Sequence, residues 1–397
     1  MKAKIPVTVL SGYLGSGKTT LLNHVLNSAG NLKAAVIVND MSEINIDGAL
    51  VKHGSNLSRT DEKLVEMSNG CICCTLREDL LIEVKKLAEK GDIDYILIES
   101  TGISEPVPVA QTFSYIDEEL GIDLTEICRL DTMVTVVDAN RFWHDFQSGD
   151  SLLQRKEAAG EEDDRDIADL LIDQIEFCNV LILNKCDLVS EKELNQLENV
   201  LKKLQPEAQI FRAVYSKVNP GLLLNTQLFD FDSASSSAGW LKELKQGEHT
   251  PETEEYGISS FVYARRYPFH AERLFQFLHT LPDQVVRAKG IAWCASRNDT
   301  ALLFSQAGPS VSLEPITYWV AALPKAEQKA ILLENPELAN EWNPDFGDRH
   351  TKLVFIGRDM DKEELLYELD SCLLTDSEFS EDWDMLPDPF RWNLQRK

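Results

Sequence analysis

Nowhere in this chain does an apolar run approach the roughly 20 residues that a membrane-spanning helix needs. Positive charge is also scarce: Lys and Arg number 39 against 66 Asp and Glu, for a formal charge of −27. Such a surface repels phosphate backbones and anionic lipids, which argues against nucleic-acid and membrane partners. The plain use of that acidity is solubility. The stretch Met1–Leu10 offers no signal-peptide core, because VTVL runs straight into a glycine-rich loop. Eight cysteines in 397 residues, three of them within Cys71–Cys74, do not make a secreted disulfide framework. A reducing, cytoplasmic setting is expected. The seven histidines are scattered, none paired at ligand spacing, and His24 reads as a satisfied group rather than a ligand. There is no internal repeat.

A chain of 397 residues exceeds what one hydrophobic core usually serves, so two domains are expected. In the first half, Val7–Leu10, Ala35–Val38, Tyr95–Ile98, Met133–Val137 and Val180–Leu183 are near-continuous apolar runs, as in strands buried on both faces. Helical spacing links Leu76, Leu80, Leu81, Val84, Leu87 and Ala88, and again Ile167, Leu170, Leu171, Gln174 and Ile175. Ser190 with Glu193 predicts a capping box at the head of a third helix. This alternation implies a doubly wound, mostly parallel α/β sheet over residues 1–232, with ligands at the carboxyl ends of its strands. The acidic run Glu157–Asp169 reads as a solvated loop leading into a helix. Residues 233–257 read as a linker. Residues 258–376 read as a smaller α+β domain, with strands at Ile258–Tyr263, Gly290–Ala295, Thr317–Val320 and Leu353–Ile356 and helices at Ala271–Leu278 and Lys362–Leu374. An acidic tail, 377–397, carries Trp383, Phe390 and Trp392, which are expected to fold back onto the body.

Two motifs carry chemistry. The segment Gly12–Thr19, with Gly15, Ser16, Gly17 and Lys18 inside it and Thr20 directly after it, matches G-x-x-x-x-G-K-[ST], with a strand before it and a helix after it. Its glycines let backbone N–H groups curl around phosphate, and the helix N-terminus adds its positive end. Lys18, expected to be exposed until nucleotide arrives, would reach the β- and γ-phosphates, and the Thr19 hydroxyl would ligate Mg²⁺. Asn184, Lys185 and Asp187 form N-K-x-D directly after a strand. A carboxylate there accepts from guanine N1–H and the exocyclic amine, which adenine cannot offer, so GTP is expected over ATP. Glu99, ending a buried strand, could hold the Mg²⁺ hydration shell or orient the attacking water, and Gly102 could let backbone approach the γ-phosphate. Asp40 and Glu43 are equally well a first switch segment or a solvated loop.

Between the two motifs stand Cys71, Cys73 and Cys74. Three thiolates with one weaker ligand suit zinc in a site that must also release it, and Glu66 or Glu62 is the nearest fourth ligand. A buried set of small residues and a redox dithiol are the competing readings. Cys128, Cys178, Cys186, Cys294 and Cys372 are isolated and read as core.

The set GYLGSGKTT, NGCICC, ESTG and NKCD, with a second half from Ile258 that includes Arg287-Ala-Lys289-Gly290, resembles the CobW-like P-loop GTPases over nearly the whole chain. The wording around Ser58–Leu81 and Glu99–Glu119 is most similar to the branch made by Bacillus-type bacteria under zinc limitation. That resemblance implies a GTP-hydrolysing zinc metallochaperone that delivers zinc as cargo to zinc-dependent client enzymes. A zinc sensor or buffer with negligible turnover, or a cobalt-handling protein of cobalamin synthesis, are the alternatives. Only His249 stands where many relatives carry a histidine-rich loop, and Val38 stands where some carry a metal-binding Glu.

Asp187→Asn exchanges an acceptor carboxylate for an amide and should weaken GTP binding by about 1–3 kcal/mol. Competition titrations check this reading, and equal competition by ATP and GTP in the unmodified protein contradicts it.

Overall fold

The structure, a computed structural model, describes residues 4–28, 32–39, 63–67, 75–89, 93–114, 121–158, 163–246 and 257–391. The chain divides into two compact units, Met1–Gly239 and Trp240–Lys397, so the division falls inside the stretch expected as linker. Parts of that stretch, Phe231–Ser236 and Gly239–Gln246, are helical.

Among the described residues the first unit is a seven-stranded sheet of β1 (Ile5–Ser11), β2 (Ala34–Asn39), β3 (Lys63–Met67), β4 (Tyr95–Glu99), β5 (Cys128–Asp138), β6 (Val180–Asn184) and β7 (Gln209–Arg212). Their order is β3-β2-β4-β1-β5-β6-β7, and every pairing is parallel. The five anticipated runs are the inner strands. The two unanticipated ones are the edges: KLVEM and QIFR are short and mix charge with apolar residues, as edge strands do.

The period of two divides each inner strand between two cores. Val7, Val9, Ala35, Ile37, Ile96 and Ile98 face one, with Leu80, Leu81, Val84 and Leu87 of α2 (Thr75–Glu89). Leu10, Val36, Val38, Leu97, Val134 and Ile182 face the other, with Leu21, Leu22, Val25 and Leu26 of α1 (Lys18–Ser28). β1 lies centrally, so the loop after it opens at the carboxyl edge beside β5, where doubly wound sheets place ligands. The capping box at Ser190 and Glu193 forms as expected at the head of Glu191–Leu204.

The second unit is a five-stranded antiparallel sheet of β8 (Ile258–Arg265), β9 (Val285–Ala292), β10 (Thr300–Ala307), β11 (Ser310–Tyr318) and β12 (Thr351–Arg358), in the order β11-β10-β9-β12-β8. Ala271–Leu278 and Lys362–Ser371 cover its core. The anticipated strands at 290–295 and 317–320 lie instead at 285–292 and 310–318, because Trp293 and Trp319 pack as core anchors just past the strand ends. β10 went unread, since an Ala-Leu-Leu-Phe run suits a helix as well as a strand.

One buried carboxylate ties the bottom of the first sheet to the segment beyond β7. Asp131, fully buried, accepts from Tyr95 Oη (2.7 Å), from the Thr226 and Gln227 N–H groups (2.9 and 3.0 Å) and from Arg129. Tyr95 Oη in turn accepts from Asn225 N–H at 3.1 Å, holding Asn225 and Gln227 in left-handed conformations. Burial opposes the charge, but these donors outweigh it and hold the carboxyl below the ordinary Asp value. A folded value below the unfolded one contributes stability that is complete above the ordinary value and lost as pH falls through the depressed one. Asp131→Ala should therefore cost about 2–4 kcal/mol near neutral pH by denaturant titration, with the difference from the unmodified protein shrinking below about pH 4.

Candidate nucleotide and metal site

The loop from Gly12 to Gly17 bends where only glycine fits. Gly12 and Gly17 have φ of +132° and +111°, and a Cβ on Gly12 would stand 2.3 Å from the Val136 carbonyl. At Gly17 a Cβ would stand 2.4 Å from Asn184 Nδ2, so the base-reading loop lies directly against the phosphate loop. The Asn184 carboxamide makes that contact specific: Nδ2 donates to the Ser16 carbonyl (2.9 Å), and Oδ1 accepts from Ser216 N–H (2.8 Å). Ser216 Oγ donates to the Gly17 carbonyl at 3.0 Å. Lys185, left-handed at φ +60°, donates to the Gly15 carbonyl (2.9 Å) and to Asp138 Oδ2 (2.5 Å). Asp187 is exposed at the end of this arrangement, open to a base.

Lys18 corrects the expectation of an exposed loop residue. It is the first residue of α1 and only 6% exposed, and its Nζ donates to the carbonyls of Gly12 (2.8 Å) and Tyr13 (3.2 Å). The loop's own carbonyls draw the ammonium inward into the cradle. Thr19 follows it and donates through Oγ1 to Glu99 Oε1 at 2.7 Å. A hydroxyl and a carboxylate oxygen this close are hard donors of the kind Mg²⁺ takes, so the residues fit that ion. Ser16 is buried, whereas Gly15 and Thr20 are exposed.

After Glu99 the chain turns under the phosphate loop. Gly102 lies so close to Leu14 that a Cβ would stand 2.7 Å from the Leu14 backbone nitrogen. The buried Gln174 holds the same turn, donating through Nε2 to the carbonyls of Gly102 and Ser104, each at 3.2 Å. The acidic run also departs from expectation at its start. Glu157 is half-buried and accepts from the hydroxyl of Tyr13 in the phosphate loop. Burial and that carboxylate push the Tyr13 hydroxyl well above its usual value, so it stays a donor.

Sequence reasoning missed Asp138, Gln174, Ser216 and Glu157. Asp138 had a signal, a carboxylate at the carboxyl end of an inner strand. The other three are reached only through tertiary contact. His24 is satisfied as expected, its Nε2 paired with the Val218 carbonyl at 2.7 Å.

Cys71, Cys73 and Cys74, with Asp40, Glu43 and Glu62, lie outside the described residues, as do His249 and Trp392. Glu66 is described only as backbone in β3, in register with Val38 of β2, which is in register with Glu99 of β4. Of the isolated cysteines, Cys128, Cys178, Cys294 and Cys372 are buried and Cys186 partly so. Burial pushes the Cys128 thiol to about 12 and Cys372 to about 11. No metal-binding group of His, Cys, Asp and Glu occurs among the described residues.

A parallel sheet with this loop pair at its carboxyl edge defines a P-loop GTPase. The chain belongs to the CobW/HypB/UreG family: that nucleotide-binding domain matches residues 6–212, and the cobalamin synthesis protein CobW C-terminal domain matches 258–373. Zinc-regulated GTPase metalloprotein activator 1 of Dictyostelium discoideum is 48% identical over 386 residues, covering 94% of this chain and 81% of that protein. Zinc chaperone YjiA of Escherichia coli is 27% identical over 374 residues, covering 91% and 96%. Zinc chaperone CobW of Pseudomonas aeruginosa is 35% identical over 201 residues, covering 48% and 52%. No helix among the described residues is long and apolar enough to cross a membrane.

Gly102→Ala should force Leu14 and the phosphate loop apart. We expect GTP turnover to fall by about tenfold or more while stability drops by only about 1–3 kcal/mol. Steady-state kinetics beside thermal unfolding measure both, and unchanged turnover would show that the turn does not act on the phosphate loop.

Proposed function

We propose that this GTPase carries zinc as cargo on Cys71, Cys73 and Cys74, with Glu66 as the weaker ligand, and uses GTP hydrolysis to release it to client enzymes. The observation that carries this reading is a register. Glu66, Val38 and Glu99 stand level across three adjacent parallel strands, so the candidate zinc ligand and the partner of Thr19 are two strand spacings apart, about 10 Å. In the sequence the cysteines stand between β3 and α2, and β3 runs parallel to β1, whose carboxyl end leads into the phosphate loop. Relatives named as a zinc-regulated GTPase activator and as zinc chaperones support zinc as the metal. The similarity of wording to the Bacillus-type branch adds zinc limitation as the setting.

In this mechanism Lys18 exchanges the Gly12 and Tyr13 carbonyls for phosphate oxygens, and the backbone N–H groups of Gly15 to Thr19 hold the phosphates. Asp187 accepts from guanine, while Asn184 and Lys185 fix the base loop to the phosphate loop. Thr19 and Glu99 would hold Mg²⁺, which supplies charge neutralisation on the phosphates when bound. Glu99 also orients the attacking water, and the Gly102 turn answers to the γ-phosphate.

Two ligands that bias one element must change each other's affinity by the same factor, typically 5–150-fold. Zinc titrations of the apo, GDP and GTP-analogue forms should therefore differ by about 1–3 kcal/mol. The triple variant Cys71→Ser, Cys73→Ser, Cys74→Ser should lose both zinc binding and the zinc effect on GTP affinity. Identical zinc affinities in all three states would leave a sensor or buffer with two independent sites.

A further inference from the structure

The C-terminal unit builds a cavity that the nucleotide and zinc sites do not use. Four rings close a circuit: Trp293 to Phe346 at 5.4 Å, Phe346 to Phe379 at 6.0 Å, Phe379 to Trp383 at 5.1 Å and Trp383 back to Trp293 at 6.1 Å, every pair tilted or edge-on. With Asn298, Asp345 and Arg349 they line an open cavity of about 580 Å³, well within the range of ligand sites.

Arg349 lines the cavity as a cation, with Asp345 as the lining carboxylate. Its guanidinium is half-buried, and Nε and Nη1 donate only to backbone carbonyls, those of Asn298 (2.7 Å) and Phe346 (3.3 Å). Among the described residues no carboxylate lies within ion-pair reach. The neighbouring Asp348 is turned away, accepting from the N–H groups of Val320 (2.8 Å) and Ala321 (2.9 Å). Burial pulls the guanidinium below its usual value, against the opposing pull of the Asp348 and Asp299 charges nearby. Four rings alone would suit an ammonium group, but Arg349 repels one. Asp345 is exposed at the rim and able to accept an N–H.

The walls are held in place before any ligand arrives. Phe379 and Trp383 come from the tail, which is clamped on one side by Arg273 on Glu378 (2.7 Å) and on the other by Arg297 on Asp388 (2.6 Å). A preformed site loses little ordering entropy on binding.

We propose that this cavity docks the C-terminal residue of a partner polypeptide, one ending in an aromatic or aliphatic side chain. The carboxylate pairs with Arg349, the side chain packs onto Phe346, Phe379 and Trp383 where they line the cavity, and the terminal amide N–H donates to Asp345. The site depends on neither zinc nor nucleotide.

Calorimetry on the full chain tests it with three probes: acetyl-Gly-Gly-Ser-Phe as the free acid, the same peptide as its C-terminal amide, and acetyl-phenylalanine. The free acid should bind about tenfold more tightly than the amide, and more tightly than acetyl-phenylalanine. Arg349→Gln should erase the preference for the acid while GTP turnover and the unfolding temperature hold, and Phe379→Ala should weaken both peptides about fivefold or more. Equal binding of acid and amide by the unmodified protein, or no saturable binding in the millimolar range, overturns the site. Acetyl-phenylalanine binding as tightly as the peptide overturns the assignment to a polypeptide.

Discussion

The Asn184 carboxamide bonds at both ends to buried backbone, the Ser16 carbonyl on one side and the Ser216 N–H on the other. Gly17 has no Cβ at the place where that amide passes. Much of the site follows from this crossing. The base loop and phosphate loop cannot move apart without stranding two buried polar groups, each costing about 1–3 kcal/mol. Lys185 adds a second strut through the Gly15 carbonyl and Asp138. The distance between the guanine reader and the phosphate cradle is therefore set by these side-chain bonds to backbone and not by the ligand. Such a frame can measure a nucleotide of one length.

A rigid frame needs a moving part if hydrolysis is to do work. At the carboxyl end of β4 the described residues show what holds the frame. On the phosphate side, Glu99 and the Gly102 turn are tied to α1 and the phosphate loop through Thr19 and Leu14. On the far side Gln174 anchors the same turn to the helix Ile167–Glu176. Two of the isolated thiols are poorly suited to binding a metal. Burial keeps Cys128 and Cys372 protonated at neutral pH, and a protonated thiol is a poor zinc ligand.

Most of the first unit was legible in the sequence because parallel strands buried on both faces read as unbroken apolar runs. Val7–Leu10 and Val180–Leu183 could hardly be anything else, and the motifs after them inherited their position. Edge strands β3 and β7 were not legible, since a strand half open to water needs no such run. The burial of Lys18 was missed for a related reason. Sequence shows an ammonium on a loop, but not the two carbonyls that the loop turns back toward it. The acid density around Glu157 predicts exposure, and one tyrosine hydroxyl reverses it. Gln174 sits on the buried face of its helix, where its periodicity placed it, yet its amide contacts are set by a turn some 70 residues earlier in the chain.

The strand order of the C-terminal unit sets a schedule. β8 is the first strand of this unit to leave the ribosome, but among the described residues it pairs only with β12, so that partner is absent until about 90 further residues have been made. At about 5–20 residues per second that is a wait of about 5–20 s, during which Phe261 and Tyr263 have no sheet to lie in. The nucleotide-binding unit, whose strands all precede residue 213, can close well before then. A nascent chain would thus present a finished phosphate loop while its second half is still an open edge. That interval is when a chaperone, or GTP itself, has most to contribute to the yield of folded protein.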